Sequence, residues 1–323
     1  MVCRLAMDLG TAKTIIADET HGILCKQPSL VGFDSKSRRP VAVGAKAARL
    51  FGRTPHSIVI TRPLKAGRVH DFEAAAMMLR SFFESLSLRP RNVQLVVGIP
   101  VGLTAAEKLA LRHLLRDLGV RSVHLVEEHI ASAAHESLNL MQECAGVIID
   151  VGAGLTELAL LGSGTVLASR SLSWSGDRLT EEIERILIQN YALRPCTSIV
   201  DSVRWRLLHP EQDPGPWIYR GYHLLLKRAV GFTLKKEDFF GLLPSFCDDV
   251  HKGLLEILTE AGIPSHDAAL YDGGLTLTGS ALPLDLLSRN LETRTGLPVH
   301  ISSEPNESVV HGLRRMLTYA DYF

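Results

Sequence analysis

The sequence predicts an α/β protein in which one domain occurs twice, with a cleft between the two copies. Two long-range repeats support this prediction: a hairpin of two strands around a turn of small residues, and a longer series of strands and helices. The chain of 323 residues is also longer than one hydrophobic core usually serves, so two domains are expected.

The first repeat joins residues 5–17 to residues 147–159. In register, four pairs of residues coincide: Asp8 with Asp150, Gly10 with Gly152, Ala12 with Gly154, and Thr14 with Thr156. Aliphatic and β-branched residues flank each turn, which is typical of buried strands. Each copy is therefore predicted to be a strand, a tight turn and a second strand.

The two turns have the chemistry of a phosphate site. Small residues allow backbone N–H groups to approach phosphate oxygens, and threonine hydroxyls add donors. An aspartate at the end of the incoming strand, such as Asp8 or Asp150, can hold a hydrated Mg²⁺ ion. One such hairpin alone would more simply be a turn with a solvated carboxylate. Because the motif occurs twice, two facing hairpins around a nucleoside triphosphate and its metal ion are the better interpretation.

A small excursion follows the first hairpin. Residues 22–25 and 27–33 are predicted to form further strands of the main sheet, and a polar turn leads from them to a strand at 41–43 and a helix at 45–51. Residues 58–72 return to the main body of the domain. From 73 to 86, apolar residues recur at helical spacing, which predicts an amphipathic helix.

The loop after this helix places Leu86 and Leu88 beside two arginines. One interpretation is a loop that packs a leucine inward. The alternative is a tip that touches the inner membrane, with its leucines in lipid and its arginines at anionic headgroups.

The second repeat is a series of strand, helix, glycine, strand and final helix. Its predicted ranges are 93–100, 104–118, 123–126 and 127–135 in the first half, and 275–280, 282–295, 299–301 and 304–311 in the second. The closing helix is predicted over 308–319. The order and spacing agree between the halves, as expected for a duplicated domain.

The second half carries its own excursion, with a helix over 179–191, a Pro-rich loop at 209–216 and a hairpin-like stretch over 217–233. A further helix from residue 236 leads back, and the closing helix should cross onto the first domain. The predicted first domain is residues 1–143 plus 308–323, with a small subdomain at about 22–62, and the second is residues 144–307, with a small subdomain at about 193–243.

Composition argues against several classes of protein. Thirty-five basic residues balance 35 acidic ones, which disfavours a nucleic-acid binder driven by phosphate neutralisation. No apolar run approaches the ~20 residues that span a bilayer, and no leader opens the chain, so a cytoplasmic protein is expected. The five cysteines and 13 histidines lack metal-ligand spacing, so we expect reduced, mostly buried cysteines and no dedicated transition-metal site.

Short motifs lie along nearly the whole chain, at residues 8–14, 52–55, 62–67, 71–72, 97–100, 127–128, 150–157, 175–177, 277–279 and 295–299. Together they resemble the actin superfamily, most closely the bacterial MreB actins and their relatives such as the magnetosome filament actins. The resemblance implies an actin fold: duplicated ribonuclease-H-like domains, a central nucleotide cleft and two small subdomains. It also implies ATP or ADP with Mg²⁺ in the cleft, and self-association into head-to-tail protofilaments.

The resemblance assigns roles to individual residues. Glu128 matches the residue that activates the attacking water, although it could instead be an acid that interacts with a helix dipole. Asp8 and Asp150 match the residues that hold Mg²⁺ through water. The remaining nucleotide-binding positions are Gly10, Thr11, Ala12, Lys13, Thr14, Gly152, Ala153, Gly154, Thr156, Gly176, Asp177, Gly279 and Ser280.

Several positions depart from the family pattern. Ala153 and Leu155 replace the usual glycine and threonine, so a methyl group crowds the phosphate loop and one hydroxyl donor is lost. Ser280 stands in a loop that is usually a glycine triplet, and His129 replaces a proline. The family's Lys/Glu pair near the ribose is not evident around residues 201–206. The ammonium of Lys13 could compensate for the lost hydroxyl.

The leading hypothesis is a cytoskeletal filament that binds ATP, hydrolyses it slowly through Glu128, and serves as a scaffold for cell shape or positioning. Its envelope or cargo partners are unknown. The alternative is a degenerate actin that holds nucleotide weakly or without turnover and regulates another filament. A small-molecule kinase would need a second catalytic acid site, and a chaperone would need a peptide-binding domain; the sequence indicates neither.

Overall fold

The computed structural model describes residues 2–50, 57–138, 141–143, 146–213, 215–264 and 267–318. The strands of the first half are β1 Cys3–Leu9, β2 Lys13–Asp18, β3 Gly22–Pro28, β4 Val31–Asp34, β5 Pro40–Val43, β6 Ile58–Thr61, β7 Leu64–Lys65, β8 Arg68–Val69, β9 Val93–Ile99 and β10 Ser122–Glu127. Its helices are α1 Ala45–Leu50, α2 Phe72–Ser85, α3 Ala105–Asp117 and α4 Glu128–His135.

The second half repeats this mixture of elements. Its strands are β11 Gly146–Val151, β12 Thr156–Gly162, β13 Thr165–Leu172, β14 Trp217–His223, β15 Arg228–Leu234, β16 Leu275–Gly279 and β17 Val299–Ile301. Its helices are α5 Gly176–Tyr191, α6 Thr197–Leu208, α7 Leu242–Glu260, α8 Ala268–Gly273, α9 Leu284–Thr295 and α10 Ser308–Met316. Short 3₁₀ turns occur at Pro90–Asn92, Pro210–Gln212 and Lys236–Phe239.

The two large sheets have the same topology. The first has the strand order β10-β9-β1-β2-β3, and the second has the order β17-β16-β11-β12-β13. In each sheet the first hairpin is antiparallel, and the two strands from the second repeat lie parallel to the central strand. The predicted duplication is therefore confirmed: each half, which we call a lobe, is built on the same five-stranded sheet.

Two helices fill the space between the lobes. Helix α10 packs against β1, β2 and β9 of the first sheet, and α4 contacts β9 and β10 there as well as β11 of the second sheet. These two helices cross where Gly312 lies on the backbone of Ala131, so closely that a side chain at 312 would overlap the Ala131 carbonyl. The closing helix thus packs on the first sheet; the residue bounds of the two domains stay a prediction.

The ends of the helices follow from their capping residues. Asp71 caps α2, and Thr104 and Glu107 form a reciprocal capping box at the start of α3. Helix α5 begins three residues before the predicted start at 179, because the Ser175 side chain accepts a hydrogen bond from the N–H of Arg178. The helix predicted from residue 236 is instead a 3₁₀ turn, and α7 starts at Leu242.

The small excursions differ in detail from the prediction. Strand β3 pairs with β2 in the main sheet, but residues 31–33, predicted to lie in the same sheet, belong to β4 of a separate sheet with the order β5-β4-β6. The small subdomain predicted at 22–62 therefore contributes its own sheet only from Val31. The break at Ser29 explains this, because its N–H and hydroxyl turn back to the first hairpin. Residues 52–55, which carry one family motif, lie outside the described residues. The second excursion contains α6 and the two-stranded sheet β14-β15.

Leu86 and Leu88 are partly buried and pack against the core of the first lobe, as in the inward-packing interpretation. No helix in the described part of the chain is both long and apolar enough to span a membrane. Of the described cysteines, Cys25 and Cys247 are buried, Cys3 is half-buried and Cys196 is exposed, so burial of cysteine is less general than expected. Cys144 lies outside the described residues.

Candidate functional site

A cavity of about 320 Å³ lies between the lobes, where the two hairpin turns face each other. This volume is at the lower end of the usual range for small-molecule sites. The predicted site residues that line it are Asp8, Gly10, Thr11, Ala12, Lys13, Glu128, Asp150, Gly152, Ala153, Gly154, Gly176, Asp177, Gly279 and Ser280. The structure therefore brings together residues from both copies of the hairpin and from three other segments.

Thr14 and Thr156 do not line the cavity. Both are fully buried. Alternate residues of a strand point to opposite faces, so a threonine next to the turn can face the core while its neighbour faces the cavity. The Thr14 hydroxyl lies 2.9 Å from that of Ser29, which in turn donates to the Gly10 carbonyl at 2.7 Å. Thr14 thus supports the first turn from behind, and its hydroxyl does not point to the cavity.

The two turns have the same backbone geometry. A Cβ at Gly10 would lie 2.8 Å from the Lys13 carbonyl oxygen, and one at Gly152 would lie 2.9 Å from that of Leu155. At Gly154, a Cβ would lie 2.7 Å from Thr11 Oγ1 in the other lobe. Glycine is therefore needed twice to close a turn and once to let the lobes approach.

Besides Asp177, four residues with carboxyl groups line this one cavity: Asp8, Asp150, Glu128 and Glu157. Burial raises the pKa of Asp8 to about 7, and the nearby Asp150 adds to the rise. Burial also raises the pKa of Asp150 to about 6, and that of Glu128 well above its ordinary value. The ammonium of Lys13 acts in the opposite direction on both aspartates. Carboxylates that repel one another in a buried site are the donor set that suits a divalent cation, so these residues fit Mg²⁺.

Glu157 is a site residue that the sequence analysis did not assign. It pairs with Asp150 across the second hairpin, whereas the equivalent partner of Asp8 is Ile15. Its carboxylate accepts a hydrogen bond from the Ser171 hydroxyl at 3.0 Å, and burial raises its pKa to about 7. The signal that could have found it is a carboxylate at a position where the other copy has an aliphatic residue.

The end of β16 closes the second lobe's side of the cavity. Gly279 has a φ of +82°, and a Cβ there would lie 2.5 Å from Asp150 Oδ1. The next two N–H groups, of Ser280 and Ala281, both donate to the Val151 carbonyl at 3.1 Å. Position 279 therefore requires glycine, because of its positive φ and because of the carboxylate beside it.

The start of α5 is tied to the second turn. The Gly176 N–H donates to the Gly152 carbonyl at 3.3 Å, and the Asp177 N–H donates to the Ala153 carbonyl at 2.8 Å. The Asp177 carboxylate also accepts a hydrogen bond from Arg62 of the first lobe at 2.8 Å. Asp177 therefore joins the lobes at the rim of the cavity.

Two further residues of the cavity were missed from sequence. Arg204 donates to the Ala281 carbonyl at 2.9 Å, in the segment where no ribose-side pair was evident. Asn306 accepts a hydrogen bond from Lys13 Nζ at 2.9 Å, across the two lobes, and another from the Ser280 hydroxyl. Arg204 lies in neither repeat. Asn306 lies in the second repeat, but its contact with Lys13 joins residues far apart in the chain, which the duplication could not indicate.

His129, at the family's proline position, is buried next to the site. Burial lowers the pKa of its imidazole to about 4, which keeps the ring neutral at physiological pH. Neither ring nitrogen has a hydrogen-bond partner among the described residues.

Known proteins share this architecture. The family model described as MreB/Mbl protein matches residues 2–323. The cell shape-determining protein MreB of Escherichia coli (strain K12) is 29% identical over 327 aligned residues, which cover 98% of this chain and 94% of that protein. The crystal structure of MreB5 of Spiroplasma citri bound to AMPPNP matches with a TM-score of 0.89 at 22% identity, over 100% of this chain and 98% of that one. MamK in a double helical filament matches with a TM-score of 0.76 at 18% identity, over 98% and 99%.

Proposed function

The chain belongs to the MreB/Mbl family and has the actin fold, and from this premise we propose that it binds ATP with Mg²⁺ between its lobes and assembles into cytoskeletal filaments. The filament would act in the cytoplasm as a scaffold for cell shape or for positioning a cellular structure. The names of its relatives support this role: one is a cell shape-determining protein, one was crystallised with AMPPNP, and one forms a double helical filament.

The observation that carries the proposal is the convergence of both glycine turns and the four acids on one cavity. Backbone N–H groups of the turns would meet the phosphate oxygens, since no side chain is in their way at Gly10 and Gly152. Lys13 contributes an ammonium to the same cavity. A nucleotide that contacts both turns would hold the lobes in one relative orientation.

Glu128 is the residue we assign to hydrolysis. Its carboxylate lies at the first turn of α4 and faces the cavity, together with Asp8 and Asp150. Mg²⁺, when bound, supplies charge neutralisation at the phosphates. Asp8 and Asp150 would hold the ion through water. Because burial and the other acids raise the pKa of Glu128, this carboxylate is a stronger base than an exposed one and can accept the proton of the attacking water.

Polymerisation with nucleotide tests this function. We expect the protein to pellet and to form filaments in electron micrographs with ATP and Mg²⁺, and to remain monomeric with Mg²⁺ alone. Glu128→Gln keeps the shape of the side chain but removes the base, so phosphate release should fall by about 10²–10⁴-fold while filaments still form. A chain that stays monomeric at high concentration with ATP would contradict the proposal.

The alternative is a degenerate actin that binds nucleotide without turnover and acts as a partner of another filament. Ala153 and Leu155 favour it, because both line the cavity where the family has glycine and threonine. Phosphate release by the wild type that disappears in Glu128→Gln would exclude this alternative. Binding of ATP without any phosphate release, in a chain that does not pellet alone, would favour it.

An exposed leucine cluster offers a surface for self-association. Leu224, Leu225 and Leu226 form the tip of the β14-β15 hairpin, and Leu225 is 80% exposed. Covering these side chains would remove apolar area from water. We expect Leu225→Glu with Leu226→Glu to raise the concentration needed for pelleting. Leu109→Glu, at a position that is 53% exposed on α3, is the matched control and should change it little.

A further inference from the structure

A second group of metal-ligating side chains lies outside the nucleotide cavity. Glu304, Glu307 and His311 bring one ligand atom each to within 4.8 Å of the others. Glu304 and Glu307 belong to the turn that leads from β17 into α10, and His311 lies in the first half of that helix. The sequence predicts no dedicated transition-metal site, because its cysteines and histidines lack metal-ligand spacing.

The distances from His311 to the two carboxylates, which are those of ion pairs, also match the spacing of ligand atoms around one bound ion. His311 Nε2 lies 3.4 Å from an oxygen of Glu304 and 3.4 Å from Glu307 Oε2. A strong hydrogen bond from nitrogen to oxygen would be about 2.7–3.2 Å long. A tetrahedral ion with bonds of about 2.0–2.1 Å, in contrast, separates its ligand atoms by about 3.3–3.4 Å.

The surroundings of His311 direct its ring at the two carboxylates. Its Nε2 atom is inaccessible to solvent, and the oxygens of Glu304 and Glu307 lie 3.4 Å from it. The ring stacks on that of His135, with 5.3 Å between centroids, and this contact fixes its orientation. Lys26 Nζ lies 2.5 Å from Glu307 Oε1, and the second oxygen, Oε2, faces the imidazole.

We propose that Glu304, Glu307 and His311 form a site for a divalent transition cation of the zinc class, separate from the magnesium site between the lobes. One imidazole with two carboxylates is a ligand set that zinc accepts, and Glu304, which is 53% exposed, leaves a side open for a water ligand.

The bound cation fixes the turn that reaches the nucleotide cavity. Between the two glutamates, the Pro305 carbonyl accepts a hydrogen bond from the Gly279 N–H at 2.7 Å, and Asn306 accepts one from Lys13. Ligands on both sides of these residues would hold the turn against α10. The cation therefore restrains the segment that links the second sheet to the closing helix.

Cobalt is the probe for this site, because the visible absorption of Co²⁺ is much stronger in four-coordinate than in six-coordinate geometry. Nucleotide-free protein is titrated with Co²⁺ in the presence of excess Mg²⁺, and the bound Co²⁺ is then displaced with Zn²⁺. We expect one Co²⁺ per chain with the four-coordinate spectrum. Glu304→Gln and His311→Ala should each lower the apparent affinity by at least about tenfold.

Two control variants separate this site from other sources of binding. His21→Ala removes an exposed imidazole that pairs with Asp18, and Asp8→Asn alters the magnesium site; both should retain Co²⁺ binding. The proposal is overturned if the wild type binds no four-coordinate Co²⁺, if Glu304→Gln and His311→Ala bind it as the wild type does, or if only Asp8→Asn loses it. Should His311→Ala fail to fold, the exposed position of Glu304→Gln still decides the result. Because no nucleotide is present, the outcome is independent of the function proposed above.

Discussion

At the scale of single residues, the site depends on acids that are held close together against their mutual repulsion. Asp8 and Glu157 have a pKa raised to about 7, and Asp150 to about 6. Near neutral pH the folded, nucleotide-free protein therefore holds protons that the unfolded chain has already released at about pH 4. A raised carboxyl pKa contributes stability that is fully present below about pH 4 and is lost as the pH rises through the folded value.

We therefore expect nucleotide-free protein to be less stable at about pH 8 than at about pH 5. His129 opposes this direction, because its pKa is lowered to about 4 and only the unfolded chain protonates that ring at about pH 5, but three acids outweigh one imidazole. Glu107 and Asp213 do not change the direction, because their pKa values are lowered to about 2 and their contribution is lost only under more acidic conditions. Urea unfolding at the two pH values measures the difference. Glu157→Gln should reduce it, and equal stabilities in the wild type would contradict the buried-acid account.

The sequence indicates site residues in two ways, by recurrence in the two halves and by resemblance to family motifs, and neither way indicates Glu157 or Asn306. The glycines at 10 and 152 were found because the same backbone turn is used twice. Glu157 was missed because it is where the copies differ, and Asn306 because its partner Lys13 lies at the other end of the chain. A contact between two residues that lie so far apart in the chain leaves no local pattern in the sequence.

At the scale of elements, hydrophobic periodicity located the helices and capping fixed their ends. The predicted helix at 104–118 is observed as α3, Ala105–Asp117, with residues 104 and 118 as its caps. The start of α5 was placed too late, because its first turn carries a cap at Ser175 but few apolar residues. The close packing of α4 on α10 could not be predicted, since it depends on two segments that meet only in the fold.

Gly312 tests that packing. Its replacement by alanine would push a methyl group into the Ala131 backbone, so we expect Gly312→Ala to destabilise the protein by about 1–3 kcal/mol in denaturant unfolding. Gly241→Ala is the matched control, because that position has open space and an α-helical conformation. A stability loss as large for Gly241→Ala would show that the effect is not one of packing.

At the scale of the whole molecule, two polar contacts join the lobes across the cavity. Arg62 pairs with Asp177 at 2.8 Å, and Lys13 reaches Asn306 at 2.9 Å. Both paired side chains of the first contact are about two-fifths exposed, at 43% and 40%, so solvent screens the pair. Its expected coupling energy is therefore only about 0.2–1 kcal/mol.

A double-mutant cycle can detect this contact through nucleotide release. If the pair holds the lobes together, Arg62→Ala and Asp177→Ala should each speed dissociation of a fluorescent ATP analogue, by an amount that is not additive in the double variant. Arg38 and Glu73, an exposed pair on the first lobe, provide the control cycle and should leave the rate unchanged. Additive effects at 62 and 177 would mean that the pair does not couple the lobes.

The chain passes between the two sheets twice, once after α4 and once through the turn before α10, and these two helices lie side by side. Two adjacent connections of this kind form a hinge, which allows the lobes to rotate but resists sliding. A rotation of a few degrees about the hinge displaces the acids little, and the displacement grows in proportion to the distance from the hinge. The leucine tip of the β14-β15 hairpin, in the second excursion, should move with its lobe, so that a change in the cleft would displace this exposed apolar surface.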